Sequence, residues 1–117
     1  MSIADSRLYG HPYRRSEVVK RLALDMDWRL PTQTEKDAFA AHRRLSKVGD
    51  AIIAAADPNQ ESWILIERDW FGFPDPPRFA FFVYRSDGRT ICEADLDDPS
   101  PIWHLPDGVP FELSKEN

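Results

Sequence analysis

Apolar positions recur at spacings of three and four through the first half of the chain and alternate through much of the second. Val19, Leu22, Ala23 and Met26 form one stripe, as expected of an amphipathic helix. Ser16 is a candidate N-cap, because its hydroxyl can accept from a free N–H of the first turn. The helix is therefore predicted to start near Arg15 or Ser16. Pro31 closes it, since a residue before proline disfavours helical angles. Thr32 and Glu35 then match a capping box. Beyond them Ala38, Ala41, Leu45, Val48, Ile52 and Ala55 continue a stripe. This predicts a second helix as far as about Ala56. Gly49 is either a cost of about 1 kcal/mol within it, a point of close packing, or a break into two helices. Asp57-Pro58-Asn59 is a stop signal.

The second half reads as strands. Trp63 to Arg68 is rich in strand formers, and so are Phe79 to Arg85 and Thr90 to Leu96. Asp87-Gly88 predicts a two-residue hairpin turn. Ile102 to Leu105 is a short fourth candidate. Three prolines keep the aromatic segment Trp70-Phe71-Gly72-Phe73-Pro74-Asp75-Pro76-Pro77 out of a sheet interior. The expected architecture is α+β, with two N-terminal helices on a three- to four-stranded, mainly antiparallel sheet in the order ααβββ. It is one domain: an irregular arm over 1–14, a helical half over 15–57, a sheet half over 61–105 and a tail over 106–117.

The hairpin fixes which side chains share a face. With Asp87 and Gly88 as the loop, Val83 opposes Cys92, Phe81 opposes Ala94 and Phe79 opposes Leu96. These six make a core face for the helices to cover. Ala80, Phe82, Tyr84, Ile91, Glu93 and Asp95 fall on the other face, where aromatics meet carboxylates. A one-residue slip would exchange the two sets.

Composition narrows the classes. Of the 117 residues, 28 are Leu, Ile, Val or Phe, above the level of about 20% below which disorder is expected. The net charge is −5 and it is uneven. Residues 1–58 carry ten basic and eight acidic groups, whereas 59–117 carry five and twelve. This balance argues against nucleic-acid binding by the whole surface. No apolar run approaches the roughly 18 residues of a membrane span, and the N-terminus lacks the apolar core of a secretory signal. A reducing cytoplasmic setting is the default for one cysteine, Cys92.

Phosphate-cradling glycine loops and the G-x-S-x-G elbow are absent. Cys92 points into the core face, where a thiol is usually an inert apolar group. His11, His42 and His104 form no metal-binding motif. The expectation is thus a non-enzyme, with no catalytic residue, cofactor or metal. Its function is expected to be protein binding through an acidic and aromatic surface: Glu67, Asp69, Trp70, Phe71, Phe73, Phe82, Tyr84, Glu93, Asp95, Asp97 and Asp98. Carboxylates there would steer a basic partner. A small inhibitor, immunity protein or antagonist of a bacterial or phage conflict system, of the anti-CRISPR kind, fits by analogy. An alternative is a nucleic-acid regulator using Arg14, Arg15, Arg43, Arg44 and Lys47 with Tyr9, His11 and Tyr13. Another is a small enzyme or ligand-binding domain around Tyr13, His42, Trp103 and His104. An exposed edge strand could pair two copies into a homodimer.

Overall fold

A five-stranded antiparallel sheet organises the chain in a computed structural model that describes residues 8–49, 51–68 and 77–107. In chain order the elements are β1 (Leu8–Tyr13), α1 (Arg15–Leu22), β2 (Met26–Asp27), α2 (Gln33–Ala41), α3 (Leu45–Val48) and β3 (Ala51–Ala56). A 3₁₀ turn (Pro58–Gln60) follows, then β4 (Glu61–Glu67), β5 (Phe79–Arg85), β6 (Thr90–Leu96) and β7 (Trp103–His104). The strand order is β1-β6-β5-β4-β3, and β2 and β7 form a separate parallel pair. The class is α+β, but the ααβββ order is replaced. A strand precedes the first helix, and the presumed second helix divides into two short helices and a strand.

Residues 8–13 of the expected irregular arm form edge strand β1 on β6. Helix α1 starts at Arg15, as expected, but its N-cap is Arg14 in the left-handed region (φ 53°) with no side-chain cap. The helix stops at Leu22, and its buried stripe is Val18, Arg21 and Leu22. Met26, expected on that stripe, lies instead in β2. The Thr32–Glu35 capping box is present in full and opens α2.

The predicted long helix fails after Ala41. His42 Nδ1 accepts from the backbone N–H groups of Arg44 and Leu45 and so starts α3. Ala51–Ala56 is then an edge strand with Ile52 to Ala56 all buried. A short apolar run satisfies helical spacing and a strand covered on both faces equally well. Here burial on both faces decides for the strand. Gly49 makes the entry feasible: a Cβ there would lie 2.4 Å from Ile66 Cγ2 and 3.1 Å from the Glu67 carbonyl oxygen. Asp57-Pro58-Asn59 does turn the chain, but between β3 and β4. Asn59 and Gln60 take up positive φ of 51° and 64°.

The β5–β6 register is as expected: Phe79 opposes Leu96, Phe81 opposes Ala94 and Val83 opposes Cys92. The turn differs. Gly88 N–H donates to the Arg85 carbonyl and Arg85 N–H to the Arg89 carbonyl, with Gly88 at φ 88°. The loop is thus Ser86-Asp87-Gly88, a turn closed by a left-handed glycine. A register shift between Val83 and Tyr84 leaves Ile91 as an extra residue and restores the expected pairing. Ile91 therefore packs against the first core face instead of the second.

Each face of the sheet has its own cover. On the first, Val18 and Leu22 of α1 join Trp28, Trp63, Phe79, Phe81, Val83, Cys92, Leu96 and Trp103. On the second, Phe39 of α2 and Leu45 of α3 cover Ile52, Ile66, Ala80 and Phe82. The two helical segments thus sit on opposite faces, not together on one. The Cα radius of gyration is 13.5 Å, close to the roughly 13 Å of a compact domain of 100 residues. No helix among the described residues is long and apolar enough to cross a membrane.

Candidate functional site

The sequence-predicted acidic and aromatic face is largely occupied by the protein itself. Phe82 is only 3% exposed beneath α2 and α3. Tyr84 is half-buried and stacks parallel on Phe82, and burial pushes its hydroxyl pKa up. The carboxylates have internal arginine partners. Arg44 donates to Glu93 at 2.5 and 2.8 Å, and its guanidinium lies over the Phe82 ring. Arg68 donates to Asp95 at 2.8 Å and also to the carbonyls of Val48 and Pro77. Arg78 donates to the buried Glu67 at 2.6 Å. Asp97 and Asp98 are exposed beyond the end of β6. Asp69, Trp70, Phe71 and Phe73 lie outside the described residues.

The basic set is partly gathered. Tyr13 opposes Glu93 across β1 and β6, and Glu93 holds Arg44. The end of β1, with Arg14 over the Tyr13 ring, therefore lies beside the segment that starts α3. Arg15, Arg43 and Lys47 are exposed; the side chains of Tyr9 and His11 lie outside the description. Tyr13 ends β1, His42 lies between α2 and α3, and Trp103 and His104 are neighbours in β7, one buried and one exposed. His42 caps α3, whereas Trp103 is core.

A different surface emerges at the β2–β7 pair. Met26 opposes Trp103 and Asp27 opposes His104. Alternation turns Trp28 and Trp103 inward and Asp25, Asp27, Ile102 and His104 outward. Four rings (Trp28, Trp63, Phe81 and Trp103) pack edge-on or tilted, with centroids 5.0 to 6.2 Å apart. The backbone N–H of Trp28 donates to the His104 carbonyl at 2.8 Å. Ser100 Oγ donates to the Leu22 carbonyl at 2.6 Å, and Trp103 Nε1 donates to the Arg21 carbonyl at 3.4 Å. Arg29 and Ala55 exchange backbone hydrogen bonds, tying the end of β2 to the edge of β3.

The outward face of this pair is acidic and apolar. His104 Nε2 lies 2.8 Å from Asp25 Oδ1. Among the described residues no arginine or lysine pairs with Asp25 or Asp27. The nearby Arg29 is turned to Glu35 and Asp57 instead. Exposed large apolar or aromatic side chains among the described residues are Tyr13, Leu24, Leu30 and Ile102. Three of these four flank β2 or β7. Sequence reasoning missed this surface. The signal was the alternation Asp25-Met26-Asp27-Trp28, which the helical stripe through Met26 obscured.

Cys92 is fully buried, and burial pushes its thiol up to about 11. Below it Arg21 donates to Glu17 and to both oxygens of Glu61. Trp63 Nε1 also donates to Glu61. Those hydrogen bonds from Arg21 hold the Glu61 carboxyl below its usual range. The network pairs the buried Arg21 guanidinium with two carboxylates. Comparison with protein-family models, with curated proteins and with solved structures finds no match for this chain.

Proposed function

We propose that the protein is a non-catalytic binding module that engages a basic protein partner through the outward face of the β2–β7 pair. The observation that carries this reading is the pairing of Asp27 with His104. It gathers Asp25, Asp27, Ile102 and His104 on one exposed face, with Leu24 and Leu30 at its ends. Isolated exposed leucines are ordinary. Apolar groups beside carboxylates that lack arginine partners are a different arrangement, because they offer contact area and charge selectivity together. The role keeps the inhibitor, immunity or antagonist class as an analogy, with the binding face moved from the sheet to this pair.

The test compares wild type, Asp25→Lys/Asp27→Lys and Glu93→Lys as immobilised baits for proteins of the native cell. A basic partner retained by wild type and Glu93→Lys but lost by the double variant supports the reading. Retention by the double variant overturns it.

A second reading, nucleic-acid binding, is favoured by one observation. Glu93 brings Arg44 beside Tyr13 and Arg14, so cations and an exposed ring share one region. Mobility shift of single-stranded nucleic acid at low salt, weakened by Arg14→Ala/Arg43→Ala, would support it. No shift at low salt would end it.

A further inference from the structure

We propose that Asp25, Asp27 and His104 form a binding site for a borderline divalent transition-metal ion such as Zn²⁺. One ligand atom from each residue lies within 4.8 Å of the other two. Metal bonds to carboxylate and imidazole are about 2.0–2.2 Å, so atoms around one ion stand roughly 3–3.5 Å apart. Small rotations of three exposed side chains close that difference.

Three features separate this group from an ordinary acidic patch. The first is the donor set. Oxygen donors alone suit Ca²⁺ or Mg²⁺, whereas an imidazole nitrogen shifts preference toward Zn²⁺ and its neighbours. The second is the mounting. Two ligands flank or belong to β2 and the third belongs to β7, and the register Asp27–His104 sets their spacing. Both strands are anchored from behind by Trp28 and Trp103. The backbone has therefore already brought the ligands together, and an ion need order only side chains. The third is the charge left over. Glu35, Glu61, Glu67, Glu93 and Asp95 each meet an arginine. Asp25 meets only an imidazole, and Asp27 has no basic partner among the described residues.

The chemistry follows. An ion bound here would take the His104 imidazole nitrogen as a ligand in place of its present contact with Asp25. Three protein ligands leave further positions for water or for a group supplied by another molecule. The site stands on its own geometry, whether or not this face also binds a protein.

The test is calorimetric titration of the full chain with Zn²⁺, with Ca²⁺ and Mg²⁺ in parallel. The expected results are one saturable Zn²⁺ site and affinity for Ca²⁺ and Mg²⁺ at least tenfold lower. Asp27→Asn and His104→Ala should each weaken Zn²⁺ at least tenfold while keeping the wild-type circular dichroism; His11→Ala should bind as wild type does. The imidazole NMR signals of His104 should also shift on Zn²⁺ addition. Absence of Zn²⁺ binding, or binding that leaves those signals unmoved, overturns the proposal. So does unchanged binding by both ligand variants.

Discussion

The indole rings of Trp28 and Trp103 stand 5.0 Å apart, tilted by 58°, and both pack on Trp63 and Phe81, which holds β2 and β7 to the sheet. Everything outward of this packing, including Asp25, Asp27 and His104, depends on those two rings being buried. Trp103→Ala should therefore cost about 3–5 kcal/mol, the usual range for a buried aromatic. Trp103→Phe should cost clearly less. Urea unfolding of the two variants checks this. A cost below about 1 kcal/mol for Trp103→Ala would mean that the pair is not anchored as described.

Gly49→Ala and Gly88→Ala should both destabilise, for different reasons. At Gly49 the added methyl meets Ile66 Cγ2 at 2.4 Å, an overpacking cost of about 1–3 kcal/mol. At Gly88 there is open space but φ is 88°, so the cost is backbone strain of roughly 1 kcal/mol. Removing the Ile66 side chain in a double-mutant cycle with Gly49→Ala should reveal strong non-additivity. Additive behaviour would place the clash elsewhere.

Glu35 makes stability pH-dependent. Hydrogen bonds from the Arg29 guanidinium lower its carboxyl to about 2 in the fold, from an ordinary 4.5. The folded state thus binds this proton less readily than the unfolded state. The contribution is complete above pH 4.5 and is lost as pH falls toward 2. Glu35→Gln can keep the capping box but loses the charged pairing with Arg29, and should cost about 0.5–1 kcal/mol at pH 7. The gap from wild type should close between pH 4.5 and 2. A gap of constant size across that interval would contradict the Arg29–Glu35 pairing.

The thiol of Cys92 should be silent in the native protein. It is fully buried, and its proton is held up to about 11 by desolvation. A disulfide reagent at pH 8 should react at least about a hundredfold more slowly than in denaturant. Fast labelling of the folded chain would mean that the core face opens.

Particular residues show where the sequence was legible. The alternation of Phe79, Phe81 and Val83 against Cys92, Ala94 and Leu96 determined the central hairpin. The pairing survived a misjudged turn because the extra residue at Ile91 compensated for it. Thr32 and Glu35 marked a helix start because a capping box is local. Ala51–Ala56 was ambiguous because helix and buried strand make the same demand on a short apolar run. β7 falls within the predicted strand Ile102 to Leu105 and β2 was obscured by the helical stripe through Met26, whereas β1 was not legible, since its partner β6 lies far along the chain. The internal pairing of the predicted acidic face was illegible for the same reason. Glu67, Glu93 and Asp95 look unpaired in sequence, and only the fold brings Arg78, Arg44 and Arg68 to them.

The central claim is that the outward face of β2 and β7 meets a basic protein. Amide hydrogen exchange of the chain alone and in complex with its captured partner tests this most directly. Added protection concentrated in residues 24–30 and 102–105 is the predicted result. Protection confined to 79–96, or to 8–15 and 42–48, with none at β2 and β7, would contradict it.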